Sequence, residues 1–178
     1  MMSFVLGGGC FWCLDSAYVN FKGVSSVDVG YMGGTLDNPS YERVCDGNTG
    51  HAEVVRITFD ESVIPADVIL DMFFTMHDPT QLNRQGNDVG TQYRSVIYYH
   101  NDEQKKRAEH YKSEMNSKNT WGAPVVTEIS PFTVFYKAEG YHQNYYNLNK
   151  NTNPYCYYVI KPKLDKFEKV FKNKMRKN

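Results

Sequence analysis

Three consecutive glycines, Gly7-Gly8-Gly9, separate two segments with incompatible hydrophobic periods. Before them, residues 3–6 form a short apolar run with the length and composition of a strand. After them, Phe11, Leu14, Tyr18 and Phe21 recur at helical spacing, which predicts a helix over 11–21. A strand, a glycine turn and a helix in 21 residues commit the chain to layered packing of helices on a sheet. The pattern continues in that sense. Strands are expected at 24–31, 51–60, 93–100 and 125–129, and helices at 65–76, 102–117 and 163–174, with a short helix around Tyr145-Tyr146 after Glu139. Helices and strands do not alternate as a regular parallel series, so the expected fold is α/β or α+β, a two-layer sandwich with a mixed sheet.

Two connections stand out. Residues 32–50 and 77–92 are polar and rich in Gly, Asp, Asn and Ser or Gln. Each is longer than an ordinary connection, and long loops inside compact domains usually carry function. One helical turn is expected near 41–44.

A chain of 178 residues with 41% hydrophobic residues can bury a core as a single domain over 1–178. Its 26 aromatic residues exclude disorder as the main state. No apolar run approaches the roughly 18–20 residues that span a bilayer, so no membrane association is expected. The first ten residues lack the basic start and apolar length of a signal peptide, so the expected location is the cytoplasm. Twenty basic and twenty acidic residues give zero net charge, which argues against a nucleic-acid surface. The balance is uneven. Residues 161–178 carry eight Lys and Arg against Asp165 and Glu168, a net +6, and read as a basic, amphipathic closing helix.

Of the four cysteines, Cys10, Cys13, Cys45 and Cys156, none needs to serve as a structural staple in a chain with a full core. Their spacing with His51, His77 and His142 matches no metal-ligand pattern, so no metal is expected. Cys10 falls at the start of the first helix, where free N–H groups and the helix dipole stabilise a thiolate. The preceding glycines would let a substrate approach the backbone, and Phe11 and Trp12 would wall an apolar pocket. The same residues also read as an inert cysteine in a core helix. Glu53 opens an otherwise apolar strand. Burial there would raise its pKa and make it a proton donor, whereas on an edge strand it would simply face water. Residues 86–95 crowd polar groups at a strand entry, which suits either a site or an ordinary turn. The tyrosines at 141, 145, 146, 155, 157 and 158 suit base stacking or, given the neutral charge, packing.

Five blocks then occur in order: GGGCFWC at 7–13, GYMGG at 30–34, NPSYERVCDGNTGHAEVV at 38–55, HDPTQLNRQGNDVGTQYRS at 77–95 and AEGYHQNY at 138–145. Together they cover residues 4 to about 160 and resemble the A-type peptide methionine sulfoxide reductases. The resemblance implies a two-layer sandwich with a ferredoxin-like core under its helices. It implies reduction of the S epimer of methionine sulfoxide, in proteins and free, with Cys10 as nucleophile, Glu53 as proton donor, Tyr41 and Tyr93 holding the sulfoxide oxygen, Phe11 and Trp12 holding the methyl group, and Asp88 supporting the pocket. Cys10 would pass through a sulfenic acid. No bound cofactor is implied; electrons would come from thioredoxin or another dithiol to what is most simply a monomer.

The chain departs from the family pattern at Cys13, where glycine is frequent, and at Asp15, where glutamate is frequent. It also lacks the glycine-rich tail with two recycling cysteines found in some members. Cys156, expected in a loop after Asn153-Pro154, is favoured as resolving cysteine, with Cys13 as the alternative; Cys45 reads as structural. Two other readings compete. A general thiol–disulfide exchanger would use Cys10 and Cys13 and would not need Glu53. A module that binds methionine peptides would not need Cys10.

Overall fold

The computed structural model describes residues 1–174. In chain order its elements are β1 (Met2–Gly7), α1 (Phe11–Tyr18), β2 (Val24–Met32), α2 (Tyr41–Cys45), β3 (Ala52–Phe59), α3 (Ala66–Met76), the two-residue strands β4 (Arg84–Gln85) and β5 (Asp88–Val89), β6 (Val96–Tyr99), α4 (Asp102–Lys118), β7 (Glu128–Pro131), β8 (Tyr136–Lys137), α5 (Tyr145–Asn149) and α6 (Lys161–Phe171). A π-helical turn, Cys156–Ile160, leads into α6, and a short 3₁₀ turn, Lys172–Lys174, follows it. Residues 175–178 of the expected closing helix lie outside the described residues.

The main sheet has the order β7-β6-β1-β3-β2-β8. β3 pairs antiparallel with both β1 and β2, so β1 and β2 run the same way on either side of it. β1–α1–β2 and β3–α3–β6 are therefore two interleaved split units, the ferredoxin-like arrangement. β7 joins β6 in parallel and makes the sheet mixed. One face carries Phe4, Leu6, Val55, Ile57 and Phe59 against the helices; the other buries Val5, Val54, Val96 and Tyr98 under Phe132 and Phe135. β3 is buried along almost its whole length because both faces are covered. On α6, Leu164, Phe167 and Phe171 face inward and the lysines 161, 166 and 169 face out, as amphipathic patterning predicts. The rings of Phe167 and Phe171 lie 5.2 and 6.0 Å from Phe21.

Three expected boundaries move. The strand expected at 125–129 begins at Glu128, because the Val125 N–H bonds the Asn116 side chain and the Val126 N–H bonds the Pro79 carbonyl instead of a ladder. The strand expected at 93–100 begins at Val96: Tyr93 and Arg94 donate to Gly90 and Thr91 in a 3₁₀ turn. The first helix ends at Tyr18, although Phe21 stays in the core. No helix among the described residues is long and apolar enough to cross a membrane.

Candidate active site

The turn between β1 and α1 positions Cys10. Gly9 has φ +83°, open to glycine at little strain, and a side chain at Gly8 would collide with the His77 ring. The room left by these glycines is thus filled by the protein's own His77 and Gln85, and not left for a substrate as the sequence suggests. Burial lowers the His77 pKa to about 4 and keeps it neutral. Its Nδ1–H donates to the Phe73 carbonyl at 2.6 Å, and its Nε2 accepts from the Ser95 hydroxyl at 2.7 Å. The Gly9 N–H donates to the Tyr93 carbonyl at 3.2 Å, tying the turn to the third expected motif.

Cys10 is the N-cap of α1 and is 7% exposed. The Trp12 N–H favours its thiolate, as helix-start geometry predicts. Burial outweighs this, and the charges of Glu53, Cys13 and Asp88 add to burial, so the thiol is pushed well above its ordinary value. Burial and these charges thus oppose the stabilisation that the helix start offers a thiolate.

Glu53, near the start of β3, is 1% exposed and pairs with Tyr31 across the sheet. It lies on a central strand, not an edge, so the water-facing reading fails. Its Oε1 accepts from the Phe11 N–H at 3.2 Å, at the same helix start as Cys10. Its Oε2 is buried without a hydrogen-bond partner. Burial raises its pKa to about 8, against the Phe11 hydrogen bond and with help from Asp88.

The remaining expected residues converge here. Tyr41 begins α2, which Ser40 caps by accepting from the Arg43 N–H. Burial, with Glu53 next, pushes the Tyr41 and Tyr93 phenols upward, and the charge of Cys10 reaches both. Asp88, on β5, accepts from the Tyr155 hydroxyl at 2.8 Å. Phe11 is fully buried, 5.7 Å from the Tyr31 ring and 6.3 Å from Tyr41. Trp12 is half-buried.

Several residues around Trp12 escape sequence reasoning. The Tyr145 ring lies flat on it, 3.8 Å away at 8°, and Tyr155 meets it edge-on at 5.9 Å. The Trp12 Nε1–H donates to His142 Nδ1 at 3.2 Å, so the neutral imidazole carries its proton on Nε2, which is buried without a partner. Glu139 accepts from the Tyr31 hydroxyl at 3.0 Å and from the Tyr41 N–H at 3.1 Å, joining α2 to β2. The sequence signals here are the block at 138–145 and the tyrosines at 141, 145, 146, 155, 157 and 158; Tyr145 and Tyr155 pack on Trp12 at the site, whereas Tyr141, Tyr157 and Tyr158 are exposed. His51 holds the 32–50 loop: Nδ1 accepts from the Gly34 N–H and Nε2–H donates to the Leu36 carbonyl.

The cysteines separate. All four are free. Cys45 is exposed and beside the Tyr41 hydroxyl. Cys13 is buried, with its pKa pushed to about 11 by burial against the pull of Lys163, and Cys156 lies close enough to act on it. Cys156 is not in a loop as expected. The Tyr155 N–H bonds the Asn153 side chain and the Cys156 N–H bonds the Asn153 carbonyl, which starts a helical turn. Cys156 is fully buried in line with Ile160, Leu164, Phe167 and Phe171, one continuous core stripe.

A family model described as peptide methionine sulfoxide reductase matches residues 2–175. The peptide methionine sulfoxide reductase MsrA of Saccharolobus solfataricus is 57% identical over 171 residues, 96% of this chain and 95% of that protein. Among solved structures, the methionine sulfoxide reductase A of Corynebacterium diphtheriae superposes with a TM-score of 0.81 at 34% identity, covering 85% of this chain and 76% of that one. Mxr1 from Saccharomyces cerevisiae in complex with Trx2 superposes with a TM-score of 0.57 at 26% identity, covering 81% and 84%.

Proposed function

The chain belongs to the peptide methionine sulfoxide reductase family and reduces methionine sulfoxide to methionine, and we propose that it does so with Cys10 as nucleophile, Glu53 as acid and only the S epimer as substrate. The observation that carries this reading is the buried, unpartnered Oε2 of Glu53 beside the Cys10 helix start, on a carboxyl whose pKa of about 8 keeps it protonated at neutral pH. A sulfoxide oxygen is the acceptor such a group lacks. Protonation of Glu53 also removes the largest charge opposing the Cys10 thiolate.

The Cys10 sulfur attacks the sulfoxide sulfur while Glu53 gives its proton to the oxygen. The oxygen then passes to the Cys10 sulfur as its bond to the methionine sulfur and the sulfur–sulfur bond of the attack break, so that methionine leaves, Cys10 is a sulfenic acid, and the proton released by the thiol restores the Glu53 acid. The phenols of Tyr41 and Tyr93 stay neutral because burial raises them, so both donate to the oxygen. Trp12 and Phe11 hold the methyl group, and Asp88 with Tyr155 forms the adjoining wall.

For regeneration, Cys156 condenses with the sulfenic acid, releasing water and forming a disulfide; Cys13 is the alternative partner. Cys156 opens the turn that runs to Ile160, and that turn is π-helical, the less favourable helix geometry. A dithiol of the thioredoxin class reduces the disulfide, a reading supported by the Mxr1–Trx2 complex. Oxidised proteins and free methionine sulfoxide are the substrates. The enzyme acts as a cytoplasmic monomer without a bound cofactor or nucleic acid, in keeping with its zero net charge.

Separated epimers test the pocket assignment. Methyl and oxygen make opposite demands on the two walls, so inverting the sulfur exchanges them. Only the S epimer should be consumed; equal rates on both would end the assignment.

A further inference from the structure

We propose that Asp15 is a positioning residue for this site: it holds the backbone of Asn144 and Tyr145 so that the Tyr145 ring lies flat on Trp12. The inference rests on the reading of Trp12 as a wall of the methyl subsite. Asp15 sits on α1 one turn beyond Phe11 and is 2% exposed. A carboxyl is rarely buried so completely unless it meets donors. α5 packs against α1, and the groups near the Asp15 carboxyl are the backbone N–H groups of Asn144 and Tyr145 at its start, which favour the charged form. Burial nonetheless raises its pKa to about 7, and the charge of Asp28 on β2 adds to this. Asp28 is itself paired with Arg56 at 3.1 Å and Lys137 at 3.5 Å.

The first N–H groups of a helix have no partner within it. At α5 the preceding residue, Asn144, is left-handed with φ 53° and makes no side-chain cap of its own. A five-residue helix does not hold together alone. Asp15 supplies the missing acceptor from a different element, and α1 thereby fixes the start of α5.

The consequence reaches Trp12. Its edge is held by His142, whose neighbour Gln143 is anchored to both the N–H and the carbonyl of Val29. Its face is held by Tyr145, whose hydroxyl accepts from Asn153 at 2.6 Å and whose backbone N–H meets Asp15. Asp15 and Trp12 lie three residues apart on α1, so the helix that carries the ring also carries the group that sets its cover.

A double-substitution cycle tests this. Trp12 emission is read in a Trp121→Phe background, since Trp121 is the other tryptophan, and KM and the saturating single-turnover rate are read with methionine S-sulfoxide. The variants are Asp15→Asn, which keeps the size of the side chain, Tyr145→Leu, and both together. Each single variant should shift Trp12 emission in the same direction and raise KM roughly tenfold while the saturating rate changes by less than about threefold. The pair should be no worse than Tyr145→Leu alone, because both substitutions break one chain of contacts. Multiplying effects, or unchanged Trp12 emission in Asp15→Asn, would overturn the proposal. Emission changes that do not multiply, with KM unmoved, would uphold the positioning role and overturn the methyl-subsite reading instead.

Discussion

Glu53 stands near the start of β3, which is paired on both sides and locks it opposite Tyr31, and Cys10 opens α1 after a turn from β1 that the Gly9 N–H ties to the Tyr93 carbonyl. His142, Tyr145 and Tyr155 lie instead on a run of short turns, residues 139–155, held by single side chains. Gln143 bonds Val29 and the Ala138 carbonyl, Glu139 bonds Tyr31 and Tyr41, and Asn153 bonds Tyr145. The groups that exchange a proton and a bond sit on the stiff part; the groups that cover Trp12 sit on the adjustable part. Bond-making tolerates misplacement of well under an ångström, whereas an aromatic wall needs only to exclude water and fill volume. Substitutions in the first region should therefore move the chemical rate, and substitutions in the second should move binding or recycling.

The largest effect should come from Cys10→Ser, which should abolish methionine formation, counted by chromatography. An alcohol cannot replace the attacking sulfur. Wild-type turnover in that variant would remove the distinction between the two regions at its root.

Glu53→Gln should slow the single-turnover chemical step by about 10²- to 10⁴-fold with substrate affinity less affected. In the wild type the acid is present below its pKa of about 8 and is lost as pH rises through it. The Glu53-dependent part of the rate should fall above pH 8, and the glutamine variant should lack that limb. An undiminished chemical step in Glu53→Gln would rule out Glu53 as donor.

Directly after the turn-built region, Cys156→Ser should still release one equivalent of methionine per enzyme, while turnover driven by thioredoxin should drop sharply; Cys13→Ser, on α1, should change little. The reverse pattern moves the resolving role to Cys13. Full turnover in both would mean that an external thiol reduces the sulfenic acid directly.

Gln143→Ala should have the smallest effect on chemistry. It strips the Val29 N–H of its acceptor and removes a donor from the Val29 carbonyl, which keeps the Ala138 N–H, so denaturant unfolding should show a loss of about 1–3 kcal/mol. KM should rise while the saturating chemical rate holds. A slowed chemical step at unchanged KM would show that the turns also position the reacting atoms.

Much of the frame was legible from local patterns. The period change across Gly7–Gly9 placed Cys10 at a helix start, and the apolar strand around Glu53 left a buried donor and a water-facing edge as alternatives. The order of strands and helices allowed the split β-α-β core, and the family resemblance named it. These features depend on residues close in sequence, where periodicity and caps act. Tertiary structure decided what depends on distant neighbours. It pushed the Cys10 thiol upward against the helix start, through burial and the carboxylates of Glu53 on β3 and Asp88 on β5. It filled the glycine turn with His77, and it placed Cys156 in a helical core stripe through a cap from Asn153. It gathered His142, Tyr145 and Tyr155 around Trp12 from more than 120 residues away, and set Asp15 under α5. Burial and Coulomb terms sum over everything packed nearby in space, and a linear pattern carries no record of which distant side chains those will be.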